Sequence, residues 1–328
     1  MRVDITEFEK VYSFELLPIT QLCGQNIVRK TYILESFRRY FSTYKYKEEQ
    51  NKWRDNIKID GAVVGRKYFE IFSIKNVSDI ISAIKYSKQS LMTEYLKQVI
   101  QNFELQKHMD SINNELEEIF RLLNNDINQL GGVEMSYSMA DIWDMVQKSD
   151  VSGSNQTALD NKNNYELIEI LLNLIEKVLG YNPRKEVVIL ENIDHFLSPE
   201  EYTAVIAKLN DIVKKFNVYF ILTTSLEGYV ECDKDIFSGI TVFGNIDFQM
   251  PEFEDILHFI CDNYPCNKDI TEEKLKMILK KIIHRIGQRN YLCSVEENVI
   301  CKLLNQTLMI NEKSDFQVTI LEKAFLKS

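Results

Sequence analysis

With 328 residues, 45% of them hydrophobic and 27% charged, the chain has the makeup of a soluble globular protein, with room for one large domain bearing an insertion or for two to three smaller ones. No N-terminal segment joins a basic start to a long apolar run, and no apolar run nears the length that crosses a bilayer, which excludes a membrane-spanning class and predicts a cytoplasmic location. The net charge of −10 speaks against a nucleic-acid partner until its distribution is considered: from Asn26 to Lys67 eleven basic residues stand against five acidic ones, a local +6 that leaves −16 on the remainder and lets one surface attract phosphates.

Val11 to Leu17 reads as a strand that Pro18 ends. A second strand, Ile19 to Cys23, runs into a turn opened by Gly24, and a helix follows with Ile33, Leu34, Phe37 and Phe41 on its apolar face. Against the phosphate-loop pattern G-x-x-x-x-G-K-[ST], Gly24, Lys30 and Thr31 align, and Arg29 replaces the second glycine. A side chain there obstructs the wrap of backbone N–H groups around phosphate. Its charge and the helix N-terminus still favour an anion, so the unit predicts phosphate binding without turnover. The plain alternative is a strand-turn-helix with a surface lysine.

An aromatic and basic connector follows (Tyr40, Phe41, Tyr44, Lys45, Tyr46, Lys47), of a kind that clamps single strands or supplies core aromatics. Asn56 to Asp60 and Tyr68 to Ile74 read as an antiparallel pair joined across Gly61 and Gly65. From Ser78 to Leu123 the apolar spacing is helical and free of proline, which predicts a helical insertion. Gly131-Gly132 interrupts it, Met139 to Val146 makes a shorter helix, Ser149 to Asn164 a polar loop, and Leu167 to Leu179 an apolar helix.

Glu186 to Leu190 is the continuous apolar run of a strand buried on both faces, ending in Glu191. Ser198, Pro199 and Glu201 signpost the next helix as N-cap, first helical residue and capping-box partner. That helix feeds a second buried strand, Val218 to Leu222, which makes a right-handed parallel crossover. Beyond Pro251 three helical segments follow, at about Glu252 to Asn263, Thr271 to Gln288 and Val295 to Ile310. Six cysteines form no C-x-x-C pair, and His258, Cys261, Cys266 and His284 fit no common zinc spacing, so reduced thiols are expected.

The predicted class is therefore α/β, a degenerate P-loop-NTPase-like core with a large helical insertion and a C-terminal helical extension. Its expected parts are 1–76 (first half of the core, with the degenerate phosphate loop), 77–180 (helical insertion), 181–250 (second half) and 251–328 (C-terminal helical subdomain). Glu191 stands where a phosphate-loop fold keeps its magnesium-holding carboxylate, and Asn192 where the ABC-type ATPases carry a catalytic glutamate. An amide accepts no proton as a carboxylate does. Gly24, Lys30, Thr31 and Glu191 are thus expected to form a degenerate nucleotide site with no catalytic residue, and the protein is expected not to be an enzyme.

From Ile19 to Met250, most specifically over Glu186 to Ser225 with its turn His195-Phe196-Leu197-Ser198-Pro199-Glu200-Glu201, the chain resembles the ring-forming spacer-acquisition proteins of type II-A CRISPR systems, in their long form. The resemblance implies a non-catalytic homotetrameric ring whose basic central hole takes free double-stranded DNA ends without sequence preference. It also implies calcium binding and contact with the other CRISPR adaptation proteins. Arg29, Lys30, Arg38, Arg39, Lys45 and Lys47 are the candidate DNA contacts by charge and position. Glu191 and Asp194 are the candidate calcium ligands, with the acidic run Glu115, Glu117 and Glu118 as a second choice. Two alternatives stay open: a working ABC-like ATPase with Lys30, Thr31 and Glu191 on nucleotide and magnesium, and a scaffold that recruits proteins and touches no nucleic acid.

Overall fold

The computed structural model describes residues 1–7, 9–24, 27–42, 56–149, 151–152, 158–181, 183, 185–244, 247–265, 270–287, 294–308 and 318–328, the side chains of residues 27–29 excepted. In chain order the strands are β1 (Arg2–Glu7), β2 (Lys10–Glu15), β3 (Ile19–Cys23), β4 (Ile57–Ile59), β5 (Ala62–Val63), β6 (Glu70–Ile74), β7 (Glu186–Glu191), β8 (Val218–Thr223), β9 (Ile240–Val242) and β10 (Phe248–Gln249). The helices are α1 (Ile27–Tyr40), α2 (Val77–Ile84), α3 (Leu91–Val99), α4 (Phe103–Ile127), α5 (Ile142–Gln147), α6 (Asn164–Tyr181), α7 (Pro199–Lys215), α8 (Lys234–Phe237), α9 (Phe253–Asn263), α10 (Glu272–Ile282), α11 (Val295–Thr307) and α12 (Ile320–Lys327). The chain is mixed α/β and divides into two compact units, Met1–Asn76 with Pro183–Ser328, and Val77–Asn182.

The first unit holds two sheets. One is antiparallel, in the order β2-β1-β4-β5; the other runs β10-β9-β3-β8-β7-β6, parallel except where β10 meets β9. Burial follows the side-chain period of each. In β1 the residues Val3 and Ile5 alternate with more exposed neighbours, as on a half-covered antiparallel sheet, whereas every residue of β3 and β7 is buried, as in a parallel sheet covered on both faces. The capping box of Ser198 and Glu201 starts α7, which buries Tyr202, Val205, Ile206, Leu209 and Ile212, and β7 and β8 on either side of it are adjacent and parallel.

One expectation about strands is overturned, and one strand is added. Asp60 and Gly61 both take positive φ, 51° and 79°, the backbone of a tight two-residue hairpin, so β4 turns back at once onto β5. That leaves Tyr68 to Ile74 unclaimed, and β6 joins the other sheet in parallel with β7, Glu70 opposite Glu186. The first strand candidate is β2, and it is preceded by β1, to which it pairs antiparallel.

Ile33, Leu34 and Phe37 of α1 share one core with Val3, Ile5 and Phe14 of the antiparallel sheet and with Val187, Ile189 and Ile221 of β7 and β8. A second core joins Cys23, Ile240 and Val242 at the β3–β9 side of the parallel sheet to α9, α10 and α11. The C-terminal helices therefore belong to the same compact unit as the sheet, and a fourth, α12, adds a capping box at Thr319 and Glu322 and an ion pair from Glu322 to Lys302 at 2.6 Å.

In the second unit the helical stretch is broken into α2, α3 and α4 by side-chain caps at Ser90 and Asn102. The apolar α6 buries eight residues and packs on α2 and α3. By contrast α4 buries only Met109 among its described residues, and Ile112, Ile119, Leu122 and Leu123 stay exposed along it.

Candidate functional site

The parallel strands β3, β7 and β8 end together: Thr223 lies opposite both Leu22 and Glu191. In open α/β sheets ligands bind at this carboxyl edge. Gly24 follows β3 with φ +114°, and a Cβ there would lie 2.1 Å from the carbonyl oxygen of Phe243, so only glycine fits.

Lys30, four residues into α1, is 2% exposed. Its Nζ donates to the carbonyl oxygens of Gly24 (2.9 Å) and Thr224 (2.5 Å). Burial lowers its pKa, and the Asp194 carboxylate acts the other way. The Gly24 N–H donates to His284 Nδ1 at 3.3 Å. Burial, helped by the Lys30 charge, pushes the His284 pKa down to about 4, with the Leu226 backbone partly offsetting it. The imidazole is thus neutral, with Nδ1 the acceptor.

Glu191 is bonded to the guanidinium of Arg38, and both side chains are largely buried. Arg38 also holds Glu35 at 3.0 Å, and Arg39 holds the same carboxylate at 2.8 Å. Burial would raise the Glu35 pKa, but Arg39, Arg38 and Lys75 together outweigh it and lower it. A planar, permanently charged fork therefore sits on the carboxylate at the end of β7. Asn192 follows in the left-handed region, φ 56°, and its N–H donates to Thr223 Oγ1 at 3.1 Å. Asp194, 1% exposed, accepts from the N–H groups of Ser225 (2.9 Å) and Leu226 (3.1 Å), fixing the chain after β8. The half-exposed His195 meets Ser225 Oγ at 2.7 Å.

Gly24, Lys30 and Glu191 thus come to one edge of the sheet, whereas the Thr31 side chain is exposed. Of the six cations expected on DNA, Lys30 and Arg38 are turned inward onto carbonyls and carboxylates. Arg39 pairs with Glu35 and keeps 26% of its side chain exposed. The side chain of Arg29, and Lys45 and Lys47 entirely, lie outside the described residues. Glu115, Glu117 and Glu118 are exposed on α4 in the second unit, Glu118 paired with Arg121.

At the expected calcium ligands, Arg38 engages Glu191 Oε2 and two backbone N–H groups donate to Asp194 Oδ2, while the buried Asp194 Oδ1 has no hydrogen-bond partner; a divalent cation there would meet the Arg38 and Lys30 charges. Among the described residues no three His, Cys, Asp or Glu side chains cluster as metal ligands would. Sequence reasoning missed His284 and the inward course of Arg38. The one signal for His284 was its place beside Ile282 and Ile283, where a polar ring must be buried and so needs a partner.

Three comparisons bear on this geometry. The family model for CRISPR-associated protein Csn2 subfamily St matches residues 7–322. The crystal structure of Stu0660 of Streptococcus thermophilus superposes with a TM-score of 0.84 at 23% identity, covering 100% of both chains, a likeness of fold. The SmcHead bound to the C-winged helix domain of ScpA (TM-score 0.44, 11% identity, 76% of this chain and 97% of that one) and the recombination mediator protein RecF-ATP (0.36, 11%, 76% and 98%) are too distant to carry an argument. Among curated proteins no match is found.

Proposed function

The chain belongs to the family of CRISPR-associated protein Csn2, subfamily St, and on that premise we propose that it is a non-catalytic, sequence-independent binder of double-stranded DNA ends that acts as a ring in spacer acquisition. The observation that carries the non-catalytic part is the Arg38–Glu191 pair: the carboxylate that would hold magnesium in a P-loop-like core is neutralised from within the chain. Asn192 supplies no catalytic base, and Lys30 is spent on two carbonyls.

Phosphates would then meet cations of the Asn26 to Lys67 segment, with Arg29, Lys45 and Lys47 as candidates by charge and sequence position, and with Arg39, which pairs with Glu35 and keeps 26% of its side chain exposed. The exposed apolar residues of α4, Ile112, Ile119 and Leu123, suit subunit contacts in a homotetramer, because a contiguous apolar stripe left in water is unfavourable. The other CRISPR adaptation proteins are the proposed partners of the ring.

Competition between linear and closed circular duplex tests the reading, with the solution mass measured with and without linear duplex. Linear DNA should win, affinity should fall steeply with salt, and the mass should be that of an oligomer. Equal competition by the closed circle removes the end-binding part. ATP turnover abolished by Lys30→Ala would make the protein an enzyme instead.

A further inference from the structure

The chain doubles back along α4 and is held there by side chains of the helix. Gly131 and Gly132, with φ 112° and 83°, reverse its course, and Met135 to Ala140 returns beside α4. Two asparagines each grip one residue of that segment by its backbone. Asn124 Oδ1 accepts from the Met135 N–H at 2.8 Å, and Asn124 Nδ2 donates to the Met135 carbonyl at 3.0 Å. Asn113 treats Ala140 in the same way, at 2.7 and 3.1 Å. Between these clamps Phe120 stacks on Tyr137, the ring centroids 4.4 Å apart and the planes 13° from parallel.

The spacings explain the fit. From Asn113 to Asn124 the helix rises about 16 Å, and the extended backbone from Met135 to Ala140 covers about the same length. The segment is thus an extended strand laid antiparallel on α4, where Asn113, Leu116, Phe120, Asn124 and Ile127, at steps of three and four, are partly buried. The asparagines read only main-chain groups, so the clamps suit any extended chain, and the stacked position alone selects a side chain.

This segment is a weakly held occupant. Among the described residues, Val133 to Ala140 makes no hydrogen bond beyond the four at the clamps, and Val133, Met135 and Met139 are exposed. Four bonds and one stack must offset the ordering of the whole stretch. The charge of the helix is unanswered too: Glu117 is exposed and makes no ion pair among the described residues, while the segment brings Glu134 and no cation. Ser138, two residues before Ala140, comes level with Glu117, four residues after Asn113.

We propose that Asn113, Phe120 and Asn124 form a groove for an extended basic peptide of a partner protein, with an aromatic residue at the stacked position. Met135 to Ala140 is its displaceable stand-in. The partner takes over the four backbone bonds and the stack, and a cation beside its aromatic residue meets Glu117. DNA binding plays no part in this.

Fluorescence anisotropy with labelled octapeptides and the full chain tests the groove. One peptide has the sequence of Val133 to Ala140, a second carries Ser138→Lys, and a third carries Ser138→Lys with Tyr137→Ala. The second should bind the native protein saturably, about threefold more tightly than the first and at least about tenfold more tightly than the third. In the protein, Tyr137→Ala loosens the stand-in and should strengthen binding of the second peptide at least about tenfold; adding Asn113→Ala and Asn124→Ala should abolish that gain.

A folded Tyr137→Ala protein that binds no peptide, or binding that survives loss of both asparagines, overturns the groove. Equal binding of the first and second peptides makes a second copy of this chain the occupant and overturns the basic partner. Should the protein variants fail to fold, the native protein decides: no binding into the millimolar range, or equal binding of the second and third peptides, overturns the proposal.

Discussion

Arg38 and Glu191, 153 positions apart, meet as a buried guanidinium–carboxylate pair at the end of β7, with the Arg38 and Glu191 side chains 14% and 10% exposed. Removing one partner leaves the other charge in a poorly solvated place. Arg38→Ala should therefore cost about 3 kcal/mol of unfolding free energy, and adding Glu191→Gln should restore much of it. Urea unfolding of the single and double variants measures this. The salt dependence of DNA binding should be the same for Arg38→Ala as for the native protein, since a side chain engaged with Glu35 and Glu191 neutralises no phosphate; a shallower slope would place Arg38 on the DNA.

His284 ties stability to pH. Its folded pKa of about 4 lies below the ordinary 6.5, so between those values the unfolded chain binds more protons than the folded one. The stabilisation is complete above about 6.5, is lost as pH falls toward about 4, and amounts to something on the order of 3 kcal/mol. Glu35 and Glu322, whose pKa values are lowered from 4.5, add their own loss only at more acid pH. Unfolding free energy measured from pH 7 to about 5 should fall in the native protein and stay flat in His284→Gln. A flat native profile contradicts the buried neutral ring.

Gly24 and Gly61 separate two costs of a side chain. Both take positive φ, but a Cβ at Gly24 meets the Phe243 carbonyl at 2.1 Å while one at Gly61 meets nothing within 4 Å. Gly61→Ala should cost about 1 kcal/mol, the backbone term alone, and Gly24→Ala at least about 3 kcal/mol. Equal costs in thermal or urea unfolding would mean that the turn after β3 yields.

On the proposed non-catalytic reading, an acid placed at position 192 should not give turnover. Asn192 sits in a left-handed backbone conformation that asparagine tolerates better than glutamate, so Asn192→Glu should cost about 1 kcal/mol. With Arg38 on Glu191 and Lys30 on two carbonyl oxygens, steady-state ATP hydrolysis by this variant should stay at background. Turnover above background would show that the acid alone was lacking.

The sequence by itself determined what local chemistry decides. The run Glu186 to Glu191 is apolar without alternation because both faces of β7 are covered, and Ser198, Pro199 and Glu201 start α7 because capping involves residues three apart. The strand-turn-helix from Ile19 was legible for the same reason, whereas the need for glycine at position 24 comes from the Phe243 carbonyl that the fold brings against it. What a side chain meets across 153 or 260 positions has no such local signal. Eleven basic residues were counted toward one surface, yet Arg38 and Lys30 point inward, because a cation's direction depends on which carboxylate or carbonyl the fold brings to it. Only the tertiary structure paired Gly24 with His284 and moved β6 from an expected hairpin to the side of β7, since register and long-range contact follow from where a whole element can bury its apolar face.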